Sequence, residues 1–333
     1  MENRASAVAI IVLNWNNWWD TVECLTSLKN LEYEQQSILI VDNGSRNDSW
    51  QRIEDWIRHE GAQAMVLNEK DLPIREMASR WSAMANDALP KYLFLGLKEN
   101  HGYAGGNNIA IEGALLAGYD YVWLLNNDTI VTPDSLQELV SCAERDRRTG
   151  IVASYNVNII SDRPLPVKGS HFLDRCLESK SVEGASILVK AGCLRDIGPI
   201  DEKYFCYFED LDLSFRARRN GWKLFYNFRS IVFHKWGSSA GSRRIEKWIL
   251  GKTVIRIIWE GFPIPGYYCA RNGIYFEKKN RPFFFIPYAL IRTLHLILQI
   301  FLYDDHKWGR IKIIIRGTWD GVLGRMGKAD IFN

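Results

Sequence analysis

Four short apolar runs, each followed by a helix-patterned stretch, constrain this chain more than any other feature. The runs are Ala7–Leu13, Ser37–Val41, Tyr92–Leu97 and Tyr121–Leu125. The stretches after them are Asp20–Lys29, Ser49–His59, Gly105–Ala117 and Pro133–Arg145, the last with proline in its first turn. An unbroken β-rich run of strand length is what a strand covered on both faces requires. Strand–helix repetition of this kind predicts an α/β fold, a Rossmann-like, mostly parallel sheet flanked by helices. In such sheets ligands bind beyond the carboxyl ends of the strands, so chemistry is expected just after residues 13, 41 and 125.

Composition narrows the class. The chain has 333 residues, 47% hydrophobic and 24% charged, which excludes disordered, collagen-like and coiled-coil chains. A net charge of +3 is too small for an open nucleic-acid binder, so no nucleic-acid partner is expected. The charge is unevenly spread. Residues 243–333 carry 16 Lys and Arg against 7 Asp and Glu, a net +9, which leaves −6 for residues 1–242. The same 91 residues hold 16 of the 42 aromatic side chains. The chain therefore divides into a body, 1–242, with an insertion at 68–90, and a basic, aromatic C-terminal region, 243–333, expected to be helical. Basic plus aromatic predicts an anionic membrane surface as partner.

Within that region, Phe283–Tyr303 is nearly unbroken in apolarity and close to bilayer-spanning length. Its polar members Tyr288, Arg292, His295, Gln299 and Tyr303 fall on one helical stripe. A lipid-facing arginine at mid-span costs roughly 2.5–3.5 kcal/mol, so a peripheral or monotopic helix is expected rather than a span. His306–Leu323 places Trp308, Ile311, Ile315, Trp319 and Val322 on one face, as an interfacial amphipathic helix does. The six cysteines show no CxxC pair and read as free thiols of a reducing compartment. No signal peptide is recognisable at the N-terminus.

The strand ends carry the candidate chemistry. Trp123-Leu124-Leu125-Asn126-Asn127-Asp128 ends an apolar strand in two amides and a carboxylate. Asp128 can ligate a divalent cation, Mg²⁺ or Mn²⁺, while Asn126 and Asn127 hydrogen-bond a sugar or phosphate; an ordinary polar turn fits the same residues. Asn14-Trp15-Asn16 and Asp42-Asn43 can offer an aromatic face and a carboxylate to a nucleobase, although Trp15 also suits core packing. Gly102, Gly105 and Asn107 lie in a glycine-rich run at a helix start, where the backbone can approach a phosphate or sugar closely. Glu209 and Asp210 follow the aromatic run Tyr204–Phe208 and begin a helix that ends in bases at Arg216, Arg218 and Arg219. The helix dipole accounts for those charges. A carboxylate beside aromatics also makes a general base. His234 ends a further apolar run 24 residues after Asp210 and can complete a Mn²⁺ shell, though a lone histidine is more often structural. Ser161–Lys180 is a polar loop suited to bordering a substrate site.

Taken in order, Asn14–Asn16, Val41–Ser45, Asn100–Asn108, Asn126–Asp128, Glu183-Gly184-Ala185, Glu209-Asp210 and His234 resemble glycosyltransferase family 2, inverting nucleotide-sugar transferases of the GT-A fold. The resemblance is closest to bacterial rhamnosyltransferase-like members, covers roughly residues 6–240, and continues weakly to Tyr267–Asn280. It implies that Trp15 stacks on the base, Asp42 holds its polar edge, and Asp128 binds the metal–diphosphate. It further implies that Asp210 is the general base, beside Glu209, and that His234 ligates the metal or lies by the diphosphate. One departure is Asn126, where the family's DxD motif has its first Asp. The resemblance implies a dTDP-sugar donor, dTDP-rhamnose first and UDP-sugars after it. It implies a glycan acceptor on a polyprenyl diphosphate, as in bacterial surface polysaccharide assembly. The expected location is the cytoplasmic face of the bacterial inner membrane. A non-catalytic nucleotide-sugar-binding or scaffold protein of an envelope complex is the rival reading.

Overall fold

The computed structural model describes residues 5–61, 64–69, 76, 91–158, 176–235, 242–249, 252–259, 263–303 and 306–330. Most of the expected insertion at 68–90 and most of the polar loop at 161–180 lie outside the described residues. The chain divides into two compact units. One comprises Met1–Asp201 and Asp210–Trp236, the other Glu202–Glu209 and Gly237–Asn333.

The first unit is a mixed, mostly parallel sheet between two layers of helices. Its strands are β1 (Val8–Asn14), β2 (Gln36–Asp42), β3 (Ala64–Asn68), β4 (Tyr92–Gly96), β5 (Tyr121–Asn126), β6 (Thr129–Val131), β7 (Thr149–Asn158), β8 (Cys176–Ser179), β9 (Ser186–Lys190) and β10 (Lys223–His234). Their order is β3-β4-β2-β1-β5-β9-β7-β10-β6, with β8 on β10. The four expected strands are β1, β2, β4 and β5, and they run parallel as a block. β9 enters antiparallel between β5 and β7.

The helices are α1 (Trp18–Leu28), α2 (Ser49–His59), α3 (Gly102–Leu116), α4 (Ser135–Glu144), α5 (Ala191–Ile197) and α6 (Glu209–Arg219). β1 shows why its run is apolar throughout. Val8, Ile10 and Val12 pack with Leu25, Leu28 and Ile53 on one face, while Ala9 and Ile11 pack with Ala110 and Ile111 on the other. A ladder of buried polar groups also ties the centre of the sheet. Trp123 Nε1–H donates to Ser186 Oγ at 2.9 Å, and Ser154 Oγ is 2.7 Å from Ser186 and 2.8 Å from Ser230. These bonds join β5, β9, β7 and β10 and satisfy hydroxyls that burial would otherwise make costly.

One expectation is corrected here. Cys142 and Cys176 form a disulfide, which leaves Cys24, Cys193, Cys206 and Cys269 as thiols. α4 packs against β10, and β8 pairs with β10, so two cysteines 34 residues apart meet through a strand that follows both. No spacing in the sequence signals this.

After residue 237 the second unit begins with a β hairpin rather than a helix. β11 (Ser242–Ile249) pairs antiparallel with β12 (Lys252–Trp259), whose Val254, Ile255, Ile257 and Ile258 are β-branched residues suited to strands. Helices α7 (Pro263–Asn280), α8 (Phe285–Tyr303) and α9 (Lys307–Leu323) follow. α7 and α9 touch closely, since a Cβ on Gly317 would lie 2.6 Å from the Tyr267 carbonyl oxygen and one on Gly321 2.6 Å from that of Arg271. Tyr267 donates its hydroxyl to Asp320 at 2.8 Å across this contact.

Among the described residues, α8 is the one helix long and apolar enough to cross a membrane. Ala289 and Ile300 are buried, while Leu290, Ile291, Leu294, Leu298 and Phe301 face outwards. Arg292 does not face outwards. It donates to the Cys269 carbonyl at 3.2 Å and lies over the rings of Phe208 and Tyr288. On α9, Trp308, Ile315 and Trp319 are exposed, whereas Ile314 is buried.

Candidate active site

Parallel register brings three strand ends level. Asn14 is opposite Asp42, and Leu13 is opposite Asn126. One continuous hydrogen-bond chain grows from that alignment. Asn14 donates to Asp42 Oδ2 at 2.8 Å and to Ser45 Oγ at 3.2 Å. Its own Oδ1 accepts from the Thr21 hydroxyl at 2.9 Å. Asn127 then donates to Thr21 Oγ1, also at 2.9 Å. Asn14 is fully buried and Asp42 nearly so. Asn14 thus spends its amide joining strand ends to one another. Thr21 is the link that sequence inspection passes over, because a lone threonine in a helix carries no signal.

The loop after β1 presents the aromatic candidate. Asn16 has φ of +55°, takes the Arg46 N–H on its Oδ1 at 2.7 Å and donates its own N–H to Ser45 Oγ at 2.8 Å. This knits the loop after β1 to the loop after β2. Between them Trp15 is 45% exposed, with its ring outside the core.

Asn43 is buried and clamps the start of α3. It donates to Asn100 Oδ1 and to the Gly102 carbonyl at 3.1 and 3.0 Å, and accepts from the His101 N–H at 3.0 Å. Gly44 has φ of +70°, and a Cβ there would overlap the Glu99 backbone. Glycine is required at this crossing of two loops. Gly102, with φ of +74°, opens α3; Gly105 is buried in the helix, and Asn107 bonds back to the Tyr103 carbonyl at 2.8 Å.

Beyond β5 the chain turns into β6, which pairs antiparallel with the end of β10, His234 opposite Thr129. That pairing sets His234 Nε2 3.1 Å from Asp128 Oδ1, both side chains largely buried. Lys235 donates its N–H to the Asp128 carbonyl at 3.0 Å, and its ammonium bridges Asp20 and Glu23 of α1. Cys24, nearby, is no nucleophile, since burial pushes its thiol up to about 12.

The Asp128–His234 pair fits a small divalent cation. An octahedral shell with bonds of about 2.1 Å sets neighbouring donors about 3 Å apart, and the Oδ1–Nε2 separation is 3.1 Å. Among the described residues no group of three or more His, Cys, Asp or Glu could hold a metal. Two protein donors suit a cation that takes its remaining oxygens from a diphosphate and water.

The third cluster surrounds Asp210. Its Oδ2 accepts the Gly184 N–H at 3.0 Å and its Oδ1 the Leu211 N–H at 2.7 Å. Loss of hydration raises its carboxyl above the usual range, against the opposing pull of those backbone N–H groups. Tyr103 donates to the Gly184 carbonyl at 3.0 Å, so α3 also holds this turn. Glu183 is exposed, yet its carboxyl is raised, first by partial loss of hydration and then by the Asp210 charge, with His234 acting oppositely. Glu183 is therefore within electrostatic reach of both Asp210 and His234. The sequence placed it in the ordered motif set without a role. Glu209 is buried at the first position of α6.

Comparison with known proteins follows the same lines. The model of the family described as Glycosyl transferase family 2 matches residues 73–182, which include Asn126, Asn127 and Asp128. The low-salt glycan biosynthesis hexosyltransferase Agl10 of Haloferax volcanii is 28% identical over 144 residues, 36% of this chain and 44% of that protein. The poly-beta-1,6-N-acetyl-D-glucosamine synthase of Staphylococcus aureus is 24% identical over 219 residues, 62% of this chain and 45% of the synthase. The chain thus spans under half the length of either relative. Among solved structures, the mannosyltransferase PcManGT of Pyrobaculum calidifontis, in complex with GDP-Man and Mn²⁺, superposes with a TM-score of 0.55 at 13% identity, over 96% of this chain and 76% of that one. The chain therefore has an α/β fold like that of GT-A glycosyltransferases, and its residues 73–182 are similar to the family 2 glycosyl transferases.

Proposed function

We propose that this protein is an inverting glycosyltransferase that moves a sugar from a nucleoside diphosphate to a glycan hydroxyl. The observation that carries this reading is the largely buried Asp128–His234 pair at the strand ends, its Oδ1 and Nε2 3.1 Å apart. In the same unit Asp210 is held by the Gly184 and Leu211 N–H groups. A base and a diphosphate-side pair are the two elements that displacement at an anomeric carbon needs.

Each residue then has a task. Trp15 stacks on the nucleobase, and Asp42, held by Asn14 and Ser45, meets its polar edge. Asn126 and Asn127 orient the sugar or phosphate. Asp128 and His234 are the residues that would hold Mg²⁺ or Mn²⁺, which supplies charge stabilisation to the departing diphosphate. Asp210 accepts the proton of the acceptor hydroxyl, whose oxygen forms the new bond to the anomeric carbon. The bond from that carbon to the diphosphate oxygen breaks on the opposite face, and configuration inverts. Loss of hydration raises Asp210 and makes it the stronger base while it is ionised.

The donor we assign is a dTDP-deoxysugar, rhamnose first, with UDP-sugars next. The sequence resemblance to rhamnosyltransferase-like enzymes supports this. The acceptor we assign is a polyprenyl-diphosphate-linked glycan at the cytoplasmic face of a bacterial inner membrane. The outward apolar side chains of α8 and α9 and the net +9 of residues 243–333 support a peripheral or monotopic attachment there. The test is a thermal-shift screen of dTDP-, UDP- and GDP-sugars with and without Mn²⁺, followed by NMR of the product's anomeric configuration. A ligand that binds the native state raises the midpoint. No shift with any nucleotide sugar, or a product of retained configuration, would sink the reading.

A further inference from the structure

The segment that leads into α6 holds three closely spaced non-glycine departures from ordinary backbone geometry. Phe205, Tyr207 and Phe208 have φ of +64°, +67° and +76°, three of the four non-glycine residues with positive φ among the described residues. Bulky residues are disfavoured there, and such geometry persists only where its surroundings over-determine it.

The surroundings here are two side chains of α7. Asn272 is fully buried and Arg271 is 1% exposed. The Asn272 amide shares its two hydrogens among the carbonyls of Tyr204, Cys206 and Tyr207, at 3.0, 2.7 and 2.7 Å. Arg271 Nε–H donates to Asn272 Oδ1 at 2.9 Å, which turns the amide nitrogen towards those carbonyls. The Arg271 guanidinium also reaches the Tyr204 carbonyl at 3.0 Å and the Gly327 carbonyl at 2.6 Å. It lies over the rings of Tyr267 and Tyr268, and Tyr268 stacks on Phe205. What the strap delivers is the chain at Glu209, the first residue of α6, and Asp210 is the next.

We propose that Asn272, oriented by Arg271, is a positioning residue that holds the strap Tyr204–Phe208 in its left-handed turns and so sets the backbone that enters α6 at Glu209, the residue before Asp210. This rests on the reading of Asp210 as the base. Asn272 touches neither substrate nor reacting atoms; it acts through the strap.

The test uses the full chain with Asn272→Asp, which keeps the size and the Oδ1 acceptor but sets an oxygen against three carbonyls. Hydrogen exchange read by mass spectrometry is expected to rise at least tenfold in peptides covering 204–213 and to stay within twofold in β1 and β5. With the nucleotide sugar that supports turnover by the unmodified chain, kcat is expected to fall at least tenfold while the donor KM stays within twofold. Tyr207→Gly in the Asn272→Asp background is expected to recover part of kcat, since glycine holds positive φ freely. Should Asn272→Asp unfold, Asn272→Ser, which shortens the donor without adding charge, carries the same expectations. Exchange unchanged in 204–213, or raised throughout the molecule, overturns the proposal, as does an unchanged kcat. Turnover that survives Asp210→Asn sinks the base assignment instead, and exchange then decides the strap by itself.

Discussion

His234 Nε2 stands 3.1 Å from Asp128 Oδ1, across 106 residues of chain. The contact exists because β6, three residues long, folds back antiparallel on the end of β10. Either side chain alone is an ordinary polar residue at a strand end. Side by side and largely buried, they form a two-donor corner of the size a small divalent cation requires.

Asp128→Ala and His234→Ala should each uncouple nucleotide binding from metal. Calorimetry with UDP and dTDP, with and without Mn²⁺, is the measurement. The unmodified chain should bind at least tenfold more tightly with Mn²⁺, a difference of about 1.4 kcal/mol. Each variant should lose most of that gain and keep its metal-free affinity. Equal metal dependence in the variants would remove the pair from this role.

Asp210→Asn should lower kcat by about 10²–10⁴, the range of a lost general base, with nucleotide affinity unchanged. Its folded-state carboxyl is raised, so the folded protein binds the proton more tightly than the unfolded chain does. Ionising it therefore opposes folding, and this contribution to stability falls as pH rises through the raised value. Asn carries no charge, so the stability of Asp210→Asn relative to the unmodified chain should improve from acidic to neutral pH. Activity should fall on the acid side through a midpoint above that of an ordinary aspartate. Denaturant melts and kcat profiles over the same pH range check both signs.

Thr21→Val keeps the shape of the side chain but removes the hydroxyl between Asn14 and Asn127. Leaving their buried polar groups short of a partner should cost about 1–3 kcal/mol in urea unfolding. Nucleotide affinity should fall with it, because Asp42 and Asn127 lose their common anchor. A neutral outcome would show that the strand ends hold their positions without this link.

Leu290→Glu with Leu294→Glu should release the protein from vesicles containing anionic phosphatidylglycerol. Both leucines are exposed on α8. Burying a leucine contributes roughly 1.5–3 kcal/mol, so a drop of at least tenfold in the vesicle-bound fraction is expected by sedimentation. The fold itself should hold its melting temperature. Unchanged partitioning would assign these side chains to something other than a lipid surface.

The parallel block was legible because β1, β2, β4 and β5 are covered on both faces, and that condition writes an unbroken apolar run. β9, five residues long, was not legible. Nothing in Ser186–Lys190 says that it slips in antiparallel between β5 and β7. The strand-end residues were legible as a set, since polar residues that close an apolar run stand out. How they are used was not. Asn14 and Asn43 look from the sequence like ligand-facing amides, but both are buried and bonded within the protein. The Cys142–Cys176 bond and the Asn272 clamp were invisible for one shared reason, that their partners are set by packing and not by spacing.

The sequence by itself determined what is local: that the runs of β1, β2, β4 and β5 are strands with helices between them, which polar residues close those strands, and that the basic and aromatic side chains gather after residue 242. These follow from periodicity and composition, which report how each residue meets its immediate surroundings. Tertiary structure alone decided that Thr21 joins Asn14 to Asn127, that Glu183 lies within reach of both Asp210 and His234, and that Asn272 holds the strap before α6. Such relationships depend on register and on close packing between distant segments, and a contact there is set by the whole fold rather than by any residue's own neighbours in the chain.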